Sequence, residues 1–189
     1  MWAAARRGDA TAFGTVFDEH RDRVFGQALR LMRSSHDAED VTALVFLEAW
    51  RRRDSVRVVD GSIVAWLLVT TNNVVRNMAR NRRRYRAALE RIENETALVA
   101  PDGTIEVDER LDRADRDELV RGAFAELSVA DQDVITLCVL EEFSTAQAAA
   151  TLGVPEGTVK SRLSRAKRRL ASRTEAALDG TASISGGGK

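Results

Sequence analysis

The sequence predicts an all-α protein built as two small helical domains. Three observations carry that expectation. Apolar residues recur at three- and four-residue spacing along most of the chain. Only 5% of the 189 residues are aromatic and two are proline, a composition that suits helices better than a sandwich or barrel. An acidic stretch broken by Pro101-Asp102-Gly103 divides the chain into two periodic parts.

In the first part, Phe13, Val16, Phe17, Val24, Phe25, Ala28, Leu29 and Met32 keep one helical face. A second run, Val41, Leu44, Val45, Ala49 and Trp50, follows an acid-rich start at Asp37, Glu39 and Asp40, which suits the positive end of a helix. Between Ser55 and Trp66 the pattern admits a hairpin turning at Asp60-Gly61. Because Ile63, Trp66, Leu67, Thr70 and Val74 hold helical spacing behind a capping Ser62, we read a loop at 54–61 and then a helix. In the second part, Ser128 with Asp131 and Ser144 with Gln147 have capping-box spacing, so helices begin near Val129 and Thr145. Gly153 ends the short alanine-rich helix and Pro155 fits the first turn of the next. A short helix, a glycine turn and a basic helix make a helix-turn-helix. The expected division is a domain at 1–88, an acidic flexible linker at 89–113, a domain at 114–175 and a disordered tail at 176–189.

Charge narrows the function. The chain carries 29 basic and 29 acidic residues, yet six arginines and no acid lie between Arg76 and Arg86, and seven basic residues and no acid between Lys160 and Arg173. Glu90 to Glu118 holds eleven acids against four arginines. Local patches, more than net charge, govern phosphate binding. On the last helix Val159, Leu163, Ala166 and Leu170 share one face, and Lys160, Ser161, Ser164, Arg165 and Arg168 the opposite one. Such a face donates to base edges and phosphates in a major groove. Asn73 and Asn77, with Arg76 and Arg80, line an earlier helix whose amides suit unpaired bases and adjacent phosphates.

Other chemistries find little support. The longest apolar runs, Ile63 to Val69 and Val134 to Leu140, fall short of the ~20 residues that cross a bilayer, and no charged-then-apolar leader opens the sequence. We therefore expect a cytoplasmic protein. One cysteine, Cys138, reads as a core thiol, and His20 and His36 read as solvated helix-end residues, so no metal site, cofactor or catalytic group is expected. The chain is not expected to be an enzyme or to take a small-molecule substrate.

The segments Asp37 to Trp50, Ala65-Trp-Leu-Leu68, Asn73 to Arg84 and Gly153 to Lys167, in that order, resemble the extracytoplasmic-function (ECF) sigma factors. The resemblance implies that regions two and four bind bacterial core RNA polymerase, on its clamp helices and flap, and read the -10 and -35 promoter elements. It also implies restraint by an anti-sigma protein. It assigns -35 contacts to Thr158, Lys160, Ser161, Arg162, Ser164, Arg165 and Arg168. It assigns -10 contacts to Asn73, Arg76, Asn77, Arg80 and Arg83, with Asn73 and the 54–61 loop forming a pocket for a flipped base. Polymerase docking falls to Asp37, Glu39, Asp40, Phe46 and Glu48. Ala43-Leu44 stands where the family often has Gln-Glu, a departure within the docking surface. The alternative is a helix-turn-helix regulator that binds duplex DNA alone; it would not need the Asn73 to Arg86 surface.

Overall fold

The computed structural model describes the backbone of residues 1–96 and 119–185, and the side chains of 1–89 and 119–175. Helix α1 (Trp2–Arg6) is followed by α2 (Ala10–Met32), capped by Asp9, whose carboxylate accepts from Ala12 N at 3.0 Å. Arg33 leaves α2 at φ 63°, and Ser34 caps α3 (Ser35–Arg51) by accepting from Asp37 N. The chain then turns through 52–63 into α4 (Val64–Thr96). Within that loop Val59 and Ser62 exchange two backbone hydrogen bonds across Asp60 and Gly61, both at positive φ. A loop and a two-residue primed turn therefore coexist there, with no strand among the described residues.

The N-terminal core forms where α2, α3 and α4 meet. Ala28 and Ala38 lie fully buried with Val24, Val41, Val45 and Leu67, and Phe13 contacts the rings of Trp2, Phe46 and Trp50. Each large side chain taken fully out of water stabilises this arrangement by about 1.5–3 kcal/mol.

The C-terminal half consists of α5 (119–125), α6 (Val129–Ile135), a π-helical turn (Thr136–Leu140), α7 (Thr145–Leu152) and α8 (Glu156–Ser185). The caps predicted from sequence are present. Ser128 accepts from Asp131 N, and Ser144 with Gln147 forms a reciprocal capping box. Gly153 ends α7 at φ 67°, a left-handed position that glycine takes without strain. Val134, Ile135, Leu137, Val159 and Ala166 form the second core.

Several expectations need correction. Helix α4 continues to Thr96, past the expected linker start at residue 89; once a helix is nucleated, each further polar residue extends it at little cost. Likewise α8 runs to Ser185 through the expected tail. The rest of the linker, 97–113, and 186–189 lie outside the described residues. Helix α1 was not anticipated. His20 is buried at 8% exposure inside α2 near Ser62 Oγ, not solvated at a helix end, and burial lowers its pKa against the opposing pull of Glu19.

Candidate nucleic-acid interface

The helix-turn-helix presents α8 with its two faces separated as the sequence required. Val159 and Ala166 are fully buried, while Lys160, Ser161, Ser164, Arg165 and Arg168 are exposed. Among the described residues neither Arg165 nor Arg168 pairs with a carboxylate; Arg165 Nε donates only to Ser161 O at 3.4 Å. Lys160 does have a partner on its own helix, Glu156 at 2.9 Å, and Thr145 Oγ1 donates to the same carboxylate at 2.7 Å. These hydrogen bonds hold Glu156 below the ordinary glutamate range. Arg169 turns away from the face and pairs with buried Asp131 at 2.6 Å. Thr158 is half-buried. So is Arg162, and its charge opposes the upward shift of the Asp133 carboxyl.

On α4, Asn73 and Asn77 line a groove of about 600 Å³ against α3, floored in part by Leu44, Leu47 and Arg51. Arg76 Nη2 donates to Asn73 Oδ1 at 3.1 Å. Burial lowers the Arg76 pKa, with the Asp133 charge opposing. Arg80 and Arg83 are exposed, one and two turns further on, and Arg83 with Arg76 borders a second groove against Phe124 and Gln132. The 54–61 loop does not line the Asn73 groove. Asp54, Val58 and Gly61 border a separate depression with α1, and Arg57 and Asp60 contact α7.

The exposed face of α3 carries Glu39, Asp40, Ala43, Leu44 and Leu47. Asp37 is occupied by Arg82 of α4, and Glu48 by Arg52 at 3.2 Å. Phe46 is 3% exposed, with Phe17 edge-on at 4.7 Å, so it belongs to the core and offers no surface for docking. The family resemblance had placed Phe46 on the docking surface; four-residue spacing from Thr42 and three-residue spacing to Ala49, both buried, put it on the inner face.

Residues 16–85 match the model of sigma-70 region 2, and residues 117–170 that of sigma-70 region 4. The ECF RNA polymerase sigma factor SigL of Mycobacterium tuberculosis is 34% identical over 174 residues, covering 89% of this chain and 92% of that protein. The chain belongs to the ECF sigma factors. SigM of the same organism is 31% identical, covering 90% of this chain and 81% of SigM. Among solved structures, this sigma factor is similar to CnrH in complex with the cytosolic domain of CnrY, with a TM-score of 0.55 at 25% identity over 93% of this chain and 95% of that one. It is also similar to RpoE in complex with the anti-sigma factor NepR from Bartonella quintana, with a TM-score of 0.50 at 25% identity over 88% and 98% of the two chains.

Two features of this ECF factor escaped the sequence reading. Asn81 continues the Asn73–Asn77 series at the same four-residue step and lines the same groove, so the spacing alone could have found it. Arg51, on the facing helix, had no such signal, because its proximity to the amides arises only when α3 packs on α4. Among the described residues no cluster of side chains could hold a metal ion, and no helix is long and apolar enough to cross a membrane.

Proposed function

We propose that this chain serves bacterial core RNA polymerase as its promoter-reading subunit, with three surfaces in separate roles. Lys160, Ser161, Ser164, Arg165 and Arg168 of α8 enter the major groove of the -35 element, and Thr158 supports the helix entry. Asn73, Asn77 and Asn81, flanked by Arg76, Arg80 and Arg83, hold the unpaired strand of the -10 element in the α3–α4 groove; amides read base edges and arginines neutralise phosphates. Glu39, Asp40 and the neighbouring apolar Ala43, Leu44 and Leu47 dock on the polymerase. The chain itself performs no catalysis, acts in the cytoplasm and, like the RpoE solved in complex with the anti-sigma factor NepR, is held by an anti-sigma protein.

The single observation that carries this proposal is the division of basic surface between two helices of different character. Helix α8 offers an open face of cations and hydroxyls behind a helix-turn-helix, which suits the duplex major groove, and α4 offers amides interleaved with arginines along a groove against α3, which suits unpaired bases and their phosphates. A regulator that binds duplex alone has use for the first and none for the second. The test is reconstitution: purified protein added to core polymerase should give discrete start sites on genomic templates from its source. Duplex shifts without polymerase, combined with no transcription on its addition, would instead establish a stand-alone regulator.

A further inference from the structure

Helix α4 carries two polar stripes, and the amide groove uses only one of them. At about 100° per residue, the Asn73–Asn77–Asn81 row is centred roughly 130° around the helix from a second stripe made by Asn72, Arg76, Ala79 and Arg83. That second stripe lines a cavity of about 90 Å³ where α4 meets α5 and α6, and Arg121 of α5 lines it as well. Three arginines thus border one small space. Among the described residues no carboxylate lines it.

The guanidinium of Arg76 is only partly provided for. Its Nη2 is committed to Asn73 Oδ1, while its Nε is buried and has no hydrogen-bond partner. A buried donor of a charged group is costly to leave unmade, and native interiors leave few of them. The Asp133 charge acts on Arg76, but Asp133 does not line the cavity, and its Oδ1 accepts from Asn72 Nδ2 at 3.2 Å. The remaining wall is apolar and held in place. Phe124 is buried, Leu31 and Val75 are half-buried, and Gln132 Nε2 of α6 donates to Phe124 O (2.9 Å) and Ala125 O (3.2 Å) of α5. Arginines set against such a wall attract an anion more strongly than they would in open water. The volume equals that of a few water molecules at roughly 30 Å³ each, which admits a tetrahedral oxyanion and excludes a nucleoside. Guanidinium forks match phosphate oxygens in pairs, and the two charges of a phosphate answer three cations better than the single charge of a carboxylate.

From this convergence we propose that the cavity between α4, α5 and α6 is a phosphate-binding site, in which Arg76, Arg83 and Arg121 hold the oxygens of one phosphate group. The group is either free inorganic phosphate or the 5′-phosphate of a mononucleotide whose sugar and base stay outside. The site stands apart from the amide groove, so it does not depend on the promoter-reading role of Asn73.

The test is calorimetric titration of the full chain, at constant ionic strength, with inorganic phosphate, adenosine 5′-monophosphate, adenosine and chloride. Saturable binding of inorganic phosphate and of the monophosphate, with none of adenosine or chloride, is the expected result; binding of the monophosphate alone would assign the group to a nucleotide and still support the site. Arg121→Ala and Arg83→Ala should each weaken binding roughly tenfold, the worth of a hydrogen bond to a charged group. Arg84→Ala, an exposed arginine of the same helix that does not line the cavity, should bind as wild type does. Ala79→Leu fills the cavity and removes no charge, so it should abolish binding while circular dichroism shows the helices kept. No saturable binding of either phosphate probe, or wild-type binding in a folded Ala79→Leu chain, would overturn the site. Should Ala79→Leu unfold, the arginine pair decides: equal weakening by Arg121→Ala and Arg84→Ala would make the binding a general surface-charge effect and overturn the site. A wild-type chain that failed to support transcription would overturn the sigma reading and leave the phosphate titration as it stands.

Discussion

Arg165 and Arg169 are four residues apart on α8, carry the same charge, and should fail in opposite ways when replaced by alanine. Arg165 is exposed, pairs with no carboxylate among the described residues and touches only a carbonyl of its own helix at 3.4 Å. Its removal should leave folding unchanged within about 0.5 kcal/mol. If it donates to a base edge, the holoenzyme loses about 1–3 kcal/mol of discrimination at the -35 element, roughly a 5- to 150-fold fall in preference for the consensus duplex over a scrambled one. Arg169 instead compensates Asp131, whose side chain is only 5% exposed. Deleting it strands a buried carboxylate. Because the guanidinium itself is half-exposed, the loss is set at about 1–3 kcal/mol, below the value for a fully buried pair. The measurement is paired: competition binding of both holoenzymes to consensus and scrambled duplexes, and thermal unfolding of both free proteins. Wild-type discrimination in Arg165→Ala, or wild-type melting in Arg169→Ala, would refute the assignment of faces.

Asn73→Ala should slow open-complex formation on duplex promoters, measured by permanganate reactivity, while core binding stays intact; equal loss of both would make Asn73 structural. Asp40→Lys should lower holoenzyme yield in competition for core polymerase, because like charges meeting at an interface suppress association; unchanged yield would move docking off α3. Leu137→Ala, at a fully buried core position, should destabilise by about 2–5 kcal/mol in denaturant melts. Burial pushes the Asp133 carboxyl up to about 6 against the pull of Asn72, Arg76 and Arg162. A raised folded-state pKa gives stability that is present at low pH and is lost as pH rises through 6. From pH 7.5 to 5.5 wild type should therefore gain about 1 kcal/mol relative to Asp133→Asn. Buried His20, with its lowered pKa, pulls the other way in the same window, so the difference between the two proteins is the quantity to read.

Local signals in the sequence were strong where a helix begins or ends. Ser128, Ser144 and Gly153, read from the sequence as helix starts and a helix stop, each sit at a helix terminus in the structure, while the caps at Asp9 and Ser34 were found only there. The two faces of α8 were legible for the same reason, since a 3.6-residue period separates Val159 and Ala166 from Lys160 and Arg165. Illegible were the features made by polar groups meeting across the chain. Gln27, Asn72, Asp133 and Thr136 carry no periodic signature, yet they are buried together across the two halves. His20 failed likewise: its neighbours in sequence are charged, and the Ser62 that meets it is 42 residues away. Helix lengths were underestimated because Glu90 to Thr96 lacks an apolar stripe, and neither core demands one there.

The most direct test of two separate reading surfaces is cleavage mapping in the open complex. An iron chelate tethered to Ser161→Cys on α8, or to Asn77→Cys on α4, in a Cys138→Ser background, marks the DNA nearest each helix. The α8 probe should cut duplex around the -35 element and the α4 probe the melted strand at the -10 element, with no overlap. Cuts from both probes at one duplex site would contradict it.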